Sequence, residues 1–136
     1  MPGALYLDTS AVLRAVLEGG TTPDIEERIR SAEVLITSRL SLVEAARALL
    51  RLRQSGEVAE EWLADAGRAI EALWARCDVW ELTGSVCDLA AQVVPLRSLR
   101  TLDALHLATY LLARRRIDDL SLLTADLRLE AAARSA

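Results

Sequence analysis

Short, unbroken apolar runs alternate along this chain with longer stretches in which apolar residues return every three or four positions. The first rhythm is that of buried strands and the second that of amphipathic helices. ALYLDTSAVLRAVLEGG, residues 4–20, joins one of each: an apolar run passes through Asp8, Thr9 and Ser10, whose side chains can cap a helix, into a helical pattern that stops at Gly19 and Gly20. TTPDIEERIRSA follows with Pro and acids at its head and Arg towards its tail, the polarity that suits a helix dipole, and EVLITS reads as a second strand. RLSLVEAARALLRLRQSGE predicts a long helix closed near Gly56, and EVAEEWLADAGRAIEALWARC a partner helix with Trp62, Ala66, Ile70 and Leu73 along one face. DVWELT gives a third strand, GSVCDLAAQVVP a shorter helix stopped by Pro95, TLDALHLATYLLARRR a buried helix, and DDLSLLTADLRLEAAARSA a fourth strand and a last helix.

Strands separated by helices predict a parallel sheet covered on both faces, an α/β sandwich of about four strands. With no repeat, low-complexity tract or linker, residues 1–136 are read as a single domain. Ligands of such sheets bind beyond the carboxyl ends of the strands, so chemistry is expected just after each strand.

Composition narrows the classes. At 52% apolar the chain can bury a real core, and a net charge of −4 argues against a globally basic nucleic-acid binder while leaving room for a basic surface beside an acidic cleft. Lys, Asn and Phe are missing, so all 16 positive side chains are Arg; these three amino acids have A/T-rich codons, which points to a GC-rich bacterial genome. Cys77 and Cys87 lie ten apart with no CxxC, and two free thiols are expected rather than a zinc site or a disulfide framework. The opening MPGALYLDTS has no basic leader, and no run reaches 18 apolar residues, so a soluble, cytoplasmic protein without membrane association is expected.

Two strands end in nearly the same chemistry: LYLDTS delivers Asp8, Thr9 and Ser10, and SLLTAD delivers Thr124 and Asp126. Taken singly, Asp8 and Asp126 read most simply as helix caps. Asp103 stands in a helix lined by Leu102, Ala104, Leu105, Leu107, Ala108, Leu111 and Leu112, with His106 and Tyr110 completing one polar stripe. Buried there it requires a cation, which Arg100, His106 or a metal could supply; near N2 or N3 of the helix it could equally be an idle partner of the dipole. Glu44 shares a stripe with Ser41, Arg47 and Arg51 and by itself reads as part of a solvated face with Glu–Arg pairs. Together, Asp8, Glu44, Asp103 and Asp126 can converge on one sheet edge, where they would repel unless they held a hard cation, and oxygen-only ligands select Mg²⁺ or Mn²⁺ over zinc. Such a site activates water and stabilises charge on a phosphoryl group. Neither a GxSxG nucleophile nor a GxxxxGK[ST] phosphate loop is present.

At these residues the sequence resembles the PIN-domain family, specifically its VapC-type toxin ribonucleases of bacterial toxin–antitoxin pairs, over nearly the whole chain. LYLDTSAVLRAV resembles the family's opening strand with its first acid, ITSRLSLVEAARAL the segment carrying its Glu, LRTLDALHLATYLL the segment with its third acid, and LLTADLRL its final T-x-D. The resemblance implies a three-layer α/β/α sandwich and a Mg²⁺- or Mn²⁺-dependent endoribonuclease acting on cellular RNA. Asp8, Glu44, Asp103 and Asp126 would surround one or two metal ions, with Thr9, Ser10 and Thr124 orienting carboxylates or water. It further implies a homodimer and a small antitoxin whose tail covers the active-site groove. Family members commonly finish with a fifth short strand, for which EAAARSA leaves hardly any room, so four main strands are expected. His106 is not among the family's recurrent acids and is read as accessory or structural.

Arg100 is the first candidate for contact with RNA phosphates, ahead of Arg47, Arg51, Arg97 and Arg114 to Arg116. A phospho-acceptor receiver domain or a haloacid-dehalogenase-type phosphatase would also gather carboxylates at strand ends, but both rely on a Lys that this chain lacks. The alternative that stays open is a catalytically inactive PIN-like scaffold that binds RNA or protein.

Overall fold

The computed structural model describes residues 3–94 and 99–136, so Pro95 and Arg97 lie outside the described residues. The elements run β1 (Ala4–Leu7), α1 (Thr9–Leu17), α2 (Pro23–Ser31), β2 (Val34–Ser38), α3 (Arg39–Ser55), α4 (Glu60–Trp74), β3 (Cys77–Trp80), α5 (Gly84–Ala90), α6 (Thr101–Arg114), β4 (Ser121–Leu123) and α7 (Leu127–Ser135). The four strands form one parallel sheet in the order β3-β2-β1-β4, as the alternation of strands and helices predicts.

Both faces of the sheet are covered because successive strand residues point opposite ways. In β1, Leu5 and Leu7 join a core with Ala11, Val12, Ile25, Ile29, Ala45 and Ile70, so α1 to α4 form one layer. Ala4 and Tyr6 enter the second core with Leu107, Tyr110, Ala113 and Leu129, which puts α6 and α7 on the other face, with α5 packed against α6. The result is the expected three-layer sandwich. Burying the side chains at alternate positions on each face stabilises the sheet by roughly 25 cal/mol per Å² of apolar surface removed from water.

Local chemistry sets the helix starts. The side chains of Asp8, Ser38, Thr83 and Asp126 each accept a backbone N–H from the first turn of α1, α3, α5 and α7. Gly56 closes α3 with a φ of 70°, a conformation that costs a residue with a Cβ. Three details depart from expectation. β3 begins at Cys77 and ends at Trp80, rather than reaching Thr83, because Thr83 caps α5 instead. α5 already ends at Ala90. On α4 the buried face is Leu63, Ala66, Ile70, Leu73 and Trp74, whereas Trp62 is 39% exposed; Leu63 takes the inward position three residues before Ala66. Among the described residues no helix is long and apolar enough to cross a membrane, and both cysteines are free thiols.

Candidate active site

Strand order places the crevice. The chain leaves β1 for β2 on one side and reaches β4 on the other, and the helices that follow β1 and β4, namely α1 and α7, lie on opposite faces. At such a reversal the two strand ends part and leave a cleft. Asp8 is the first residue beyond β1 and Thr124 the first beyond β4, so the two hydroxyl-and-acid turns seen in the sequence meet there.

Asp8 is only 4% exposed. The Ser10 hydroxyl lies 2.8 and 2.9 Å from its two carboxylate oxygens, the Thr124 hydroxyl donates to Oδ2 at 2.7 Å, and the Ala11 N–H donates to Oδ1 at 3.0 Å. Thr124 in turn accepts the Asp126 N–H at 2.9 Å, and Ser10 accepts the Ala125 N–H at 2.9 Å. These donors are all uncharged. Burial pushes the Asp8 carboxyl above its ordinary value, and the hydrogen bonds from Thr124, Ala11 and Ser10, together with the charge interaction with nearby His106, offset this only in part.

Glu44, on α3, is half-buried and held by one oxygen. Thr9 donates to Oε1 at 2.6 Å, and Nε2 of His106 lies 2.7 Å from the same atom. His106, on α6, is buried, and its Nδ1 is 2.9 Å from the Tyr6 hydroxyl. Burial raises the Glu44 carboxyl, but the hydrogen bonds from His106 and Thr9 outweigh it and leave the group below its ordinary value. The solvated Glu–Arg stripe therefore gives way to an imidazole partner; Ser41 is buried and accepts a hydrogen bond from Thr37.

Asp126 is the N-cap of α7, its Oδ1 accepting the N–H groups of Arg128 and Leu129 at 2.9 and 3.4 Å. Asp103 sits at N3 of α6 and accepts the backbone N–H of Arg100 at 3.3 Å. It is only half-buried, and Leu102 beside it is 48% exposed, so α6 is not apolar all round and Asp103 has no need of a compensating cation on grounds of burial. Hydrogen bonds thus connect Asp8, Ser10, Thr124 and the Asp126 backbone as one group, and Thr9, Glu44, His106 and Tyr6 as a second; Asp103 is bonded to neither among the described residues. Arg100, Arg47, Arg51 and Arg114 to Arg116 are exposed, with Arg114 lying 5.2 Å over the Tyr110 ring.

Among the described residues no three His, Cys, Asp or Glu side chains are grouped tightly enough to surround an ion. The donor chemistry at Asp8 nevertheless suits a hard divalent cation: oxygen atoms only, with a desolvated carboxylate that no cationic side chain bonds among the described residues. What the sequence left unassigned was the join of Tyr6, His106 and Glu44. Its one local signal was a lone His among leucines, a polar residue at a position that packing alone would fill with an aliphatic.

A PIN domain model matches residues 5–135. Ribonuclease VapC46 of Mycobacterium tuberculosis (strain ATCC 25618 / H37Rv) is 37% identical over 106 residues, 78% of this chain and 73% of that protein. Ribonuclease VapC45 of Mycobacterium tuberculosis (strain CDC 1551 / Oshkosh) is 31% identical over 112 residues, covering 79% and 74%. Among solved structures, PAE2754 from Pyrobaculum aerophilum aligns with a TM-score of 0.68 at 24% identity over 98% of this chain and 81% of that one. VapBC2 from Rickettsia felis, bound to a DNA fragment from their promoter, aligns at 0.58 and 10% identity over 90% and 99%. These two likenesses support the fold, while the family model and the mycobacterial relatives establish kinship: the chain belongs to the PIN-domain family and to its VapC type.

Proposed function

We propose that this protein is the toxin of a bacterial toxin–antitoxin pair, a Mg²⁺- or Mn²⁺-dependent endoribonuclease that hydrolyses phosphodiester bonds in cellular RNA. The observation that carries the reading is Asp8: a carboxylate buried just beyond the strand reversal, bonded by hydroxyl and amide donors and by no cationic side chain among the described residues. The names of the mycobacterial relatives, ribonucleases of the VapC type, support the activity.

In this reading Asp8, Glu44, Asp103 and Asp126 are the four acids that hold the ion. The metal, when bound, lowers the pKa of water and stabilises the charge that develops on phosphate. Ser10 and Thr124 hold both oxygens of Asp8 in a fixed plane, and Thr9 does the same for Oε1 of Glu44. Arg100, exposed just before α6, is the residue assigned to contact with the RNA backbone. The protein acts in the cytoplasm as a homodimer restrained by a cognate antitoxin; the Rickettsia VapBC2 neighbour supports a partner of that kind.

Incubating the purified chain with total RNA in chelator, Mg²⁺ or Mn²⁺ tests the activity. Metal-dependent cleavage that Asp8→Asn abolishes is expected, and expression of the chain in a bacterium should arrest growth unless Asp8 is replaced by Ala. A second reading, an inactive scaffold, draws on the cap bonds that occupy Asp103 and Asp126 and on the lack of a three-donor group among the described residues. Harmless expression and uncut RNA in excess Mn²⁺ would decide for it.

A further inference from the structure

Side chains of the two helical layers are hydrogen-bonded over the carboxyl end of the sheet, His106 of α6 meeting both Thr9 of α1, at 3.3 Å, and Glu44 of α3. Glu44 belongs to α3, in the layer with α1, whereas His106 belongs to α6 on the opposite face, and their side chains meet at 2.7 Å. Behind the imidazole stands Tyr6 of β1, its hydroxyl 2.9 Å from Nδ1. The phenol hydroxyl can donate its proton to Nδ1 at this distance. A ring that accepts at Nδ1 carries its own proton on Nε2, and that proton faces Glu44. Thr9 adds its hydroxyl to the same carboxylate oxygen. Both donors therefore fall on Oε1, and Oε2 has no hydrogen-bond partner among the described residues.

This arrangement does more than fill space. His106 lies between Leu105 and Leu107, and a leucine would serve packing without the cost of satisfying two ring nitrogens. On the nuclease reading, on which the inference rests, we propose that His106 is the positioning residue of Glu44: Tyr6 orients the imidazole, the imidazole and Thr9 pin Oε1, and Oε2 is left free to serve the ion. His106 acts through Glu44 and touches neither metal nor RNA.

His106 is the sole histidine, so the imidazole nitrogens of the tag-free, uniformly ¹⁵N-labelled chain belong to one residue. Their resonances in metal-free wild type should show Nε2 protonated. His106→Leu keeps the bulk and removes the donor; it should lower Mn²⁺ affinity and the rate of RNA cleavage by about 10- to 100-fold, the range for residues that orient metal-binding side chains. His106→Gln, which retains an N–H donor at the end of its side chain, should recover most of both while the leucine variant does not. An Nε2 without its proton, or a leucine variant equal to wild type in Mn²⁺ affinity and cleavage, overturns the proposal. The spectrum needs no variant, so it remains decisive even where His106→Leu fails to fold. Wild-type protein that neither binds Mn²⁺ nor cuts RNA overturns the nuclease reading and this inference with it; an active wild type matched by His106→Leu overturns the role of His106 alone.

Discussion

Asp8 and Glu44 are carboxylates withdrawn from water at the same end of one sheet, yet their surroundings handle charge in opposite ways. Asp8 is met by hydroxyls and an amide, which solvate it without neutralising it, and its carboxyl is left with a raised pKa. Glu44 is met by an imidazole and a hydroxyl, and despite its own burial it ends with a lowered one. The difference teaches where an added cation is wanted. Charge is already accommodated at Glu44 by the protein, whereas at Asp8 it stays costly, so ligand binding should act mainly through Asp8.

The sharpest way to break this contrast is Asp8→Asn. The amide oxygen can still accept the Ala11 N–H, but the ligand for a hard cation is lost, so RNA cleavage should fall by at least about 100-fold, the upper end for disturbing a metal site. In chelator the same variant should melt at or above wild type, and Mn²⁺ should raise its melting temperature less than the wild type's. A cap whose only role is α1 would behave differently, losing about 1 kcal/mol on substitution and showing no response to metal. Thermal melts in chelator and in excess Mn²⁺ separate the two. Asp103→Asn should likewise keep the fold and lose cleavage; wild-type rates there would remove Asp103 from the metal site and leave it as the α6 cap that its bond to Arg100 describes.

Acid and alkaline limbs of metal-free stability sharpen the comparison next. Asp8, with its folded pKa raised, contributes stability that is fully present below the unfolded value of about 3.9 and is lost as pH rises through its elevated folded value. Glu44, with its folded pKa lowered, contributes stability present above about 4.3 and lost as pH falls through its depressed value. Urea midpoints measured in chelator across the acid-to-neutral range should therefore show a neutral-side decline that Asp8→Asn abolishes, and an acid-side decline that Glu44→Gln weakens. The same pH curve for both variants would mean that the two environments do not differ.

Smaller effects test the scaffolding of the Asp8 crevice. Thr124→Val removes the donor to Oδ2 and the acceptor for the Asp126 N–H, and should cost about 1–3 kcal/mol in chemical denaturation, with Thr124→Ser restoring most of it. In the Asp8→Asn background the valine substitution should cost less, because the neutral side chain needs less from the hydroxyl; equal costs in both backgrounds would show that Thr124 supports the turn alone. At the bottom of the scale, Asp88→Asn and Asp118→Asn, both exposed and away from the crevice, should shift stability by less than about 0.5 kcal/mol and leave cleavage intact.

Much of the fold and half of the candidate site were legible in the sequence because they are written in local patterns. Apolar runs of strand length and the i, i+3, i+4 recurrence of α3 and α6 need no tertiary information, and neither do the caps at Asp8 and Asp126. The crevice could be anticipated because Asp8 with Ser10 and Thr124 with Asp126 carry matching chemistry at matching places after two strands. Periodicity could not show which residues at the edge of each stripe turn inward. It put Trp62 on the buried face of α4 in place of Leu63, and it left Asp103 open between a buried residue and a partner of the helix dipole near N2 or N3, where α6 in fact opens to water at Leu102 and Asp103 sits at N3. The join of Glu44 and His106 was out of reach for another reason: 62 residues and a whole sheet separate them, and each stripe, read singly, offered Glu44 an arginine and Asp103 the histidine.

The pairing of β1 with β4 also has a consequence in time. Leu7 lies opposite Leu123, and the hydroxyl that serves Asp8 arrives from 116 positions further along the chain. During synthesis Asp8 remains hydrated until almost the last segment has emerged, since the wall that excludes water from it does not yet exist. Closing so long a loop is slow relative to forming local helices, and desolvation of the carboxylate should rank among the final events of folding. A chain cut before Ser121 would lack both β4 and the Thr124 hydroxyl, so an unfinished polypeptide carries every catalytic candidate but Asp126 without the wall that closes over Asp8.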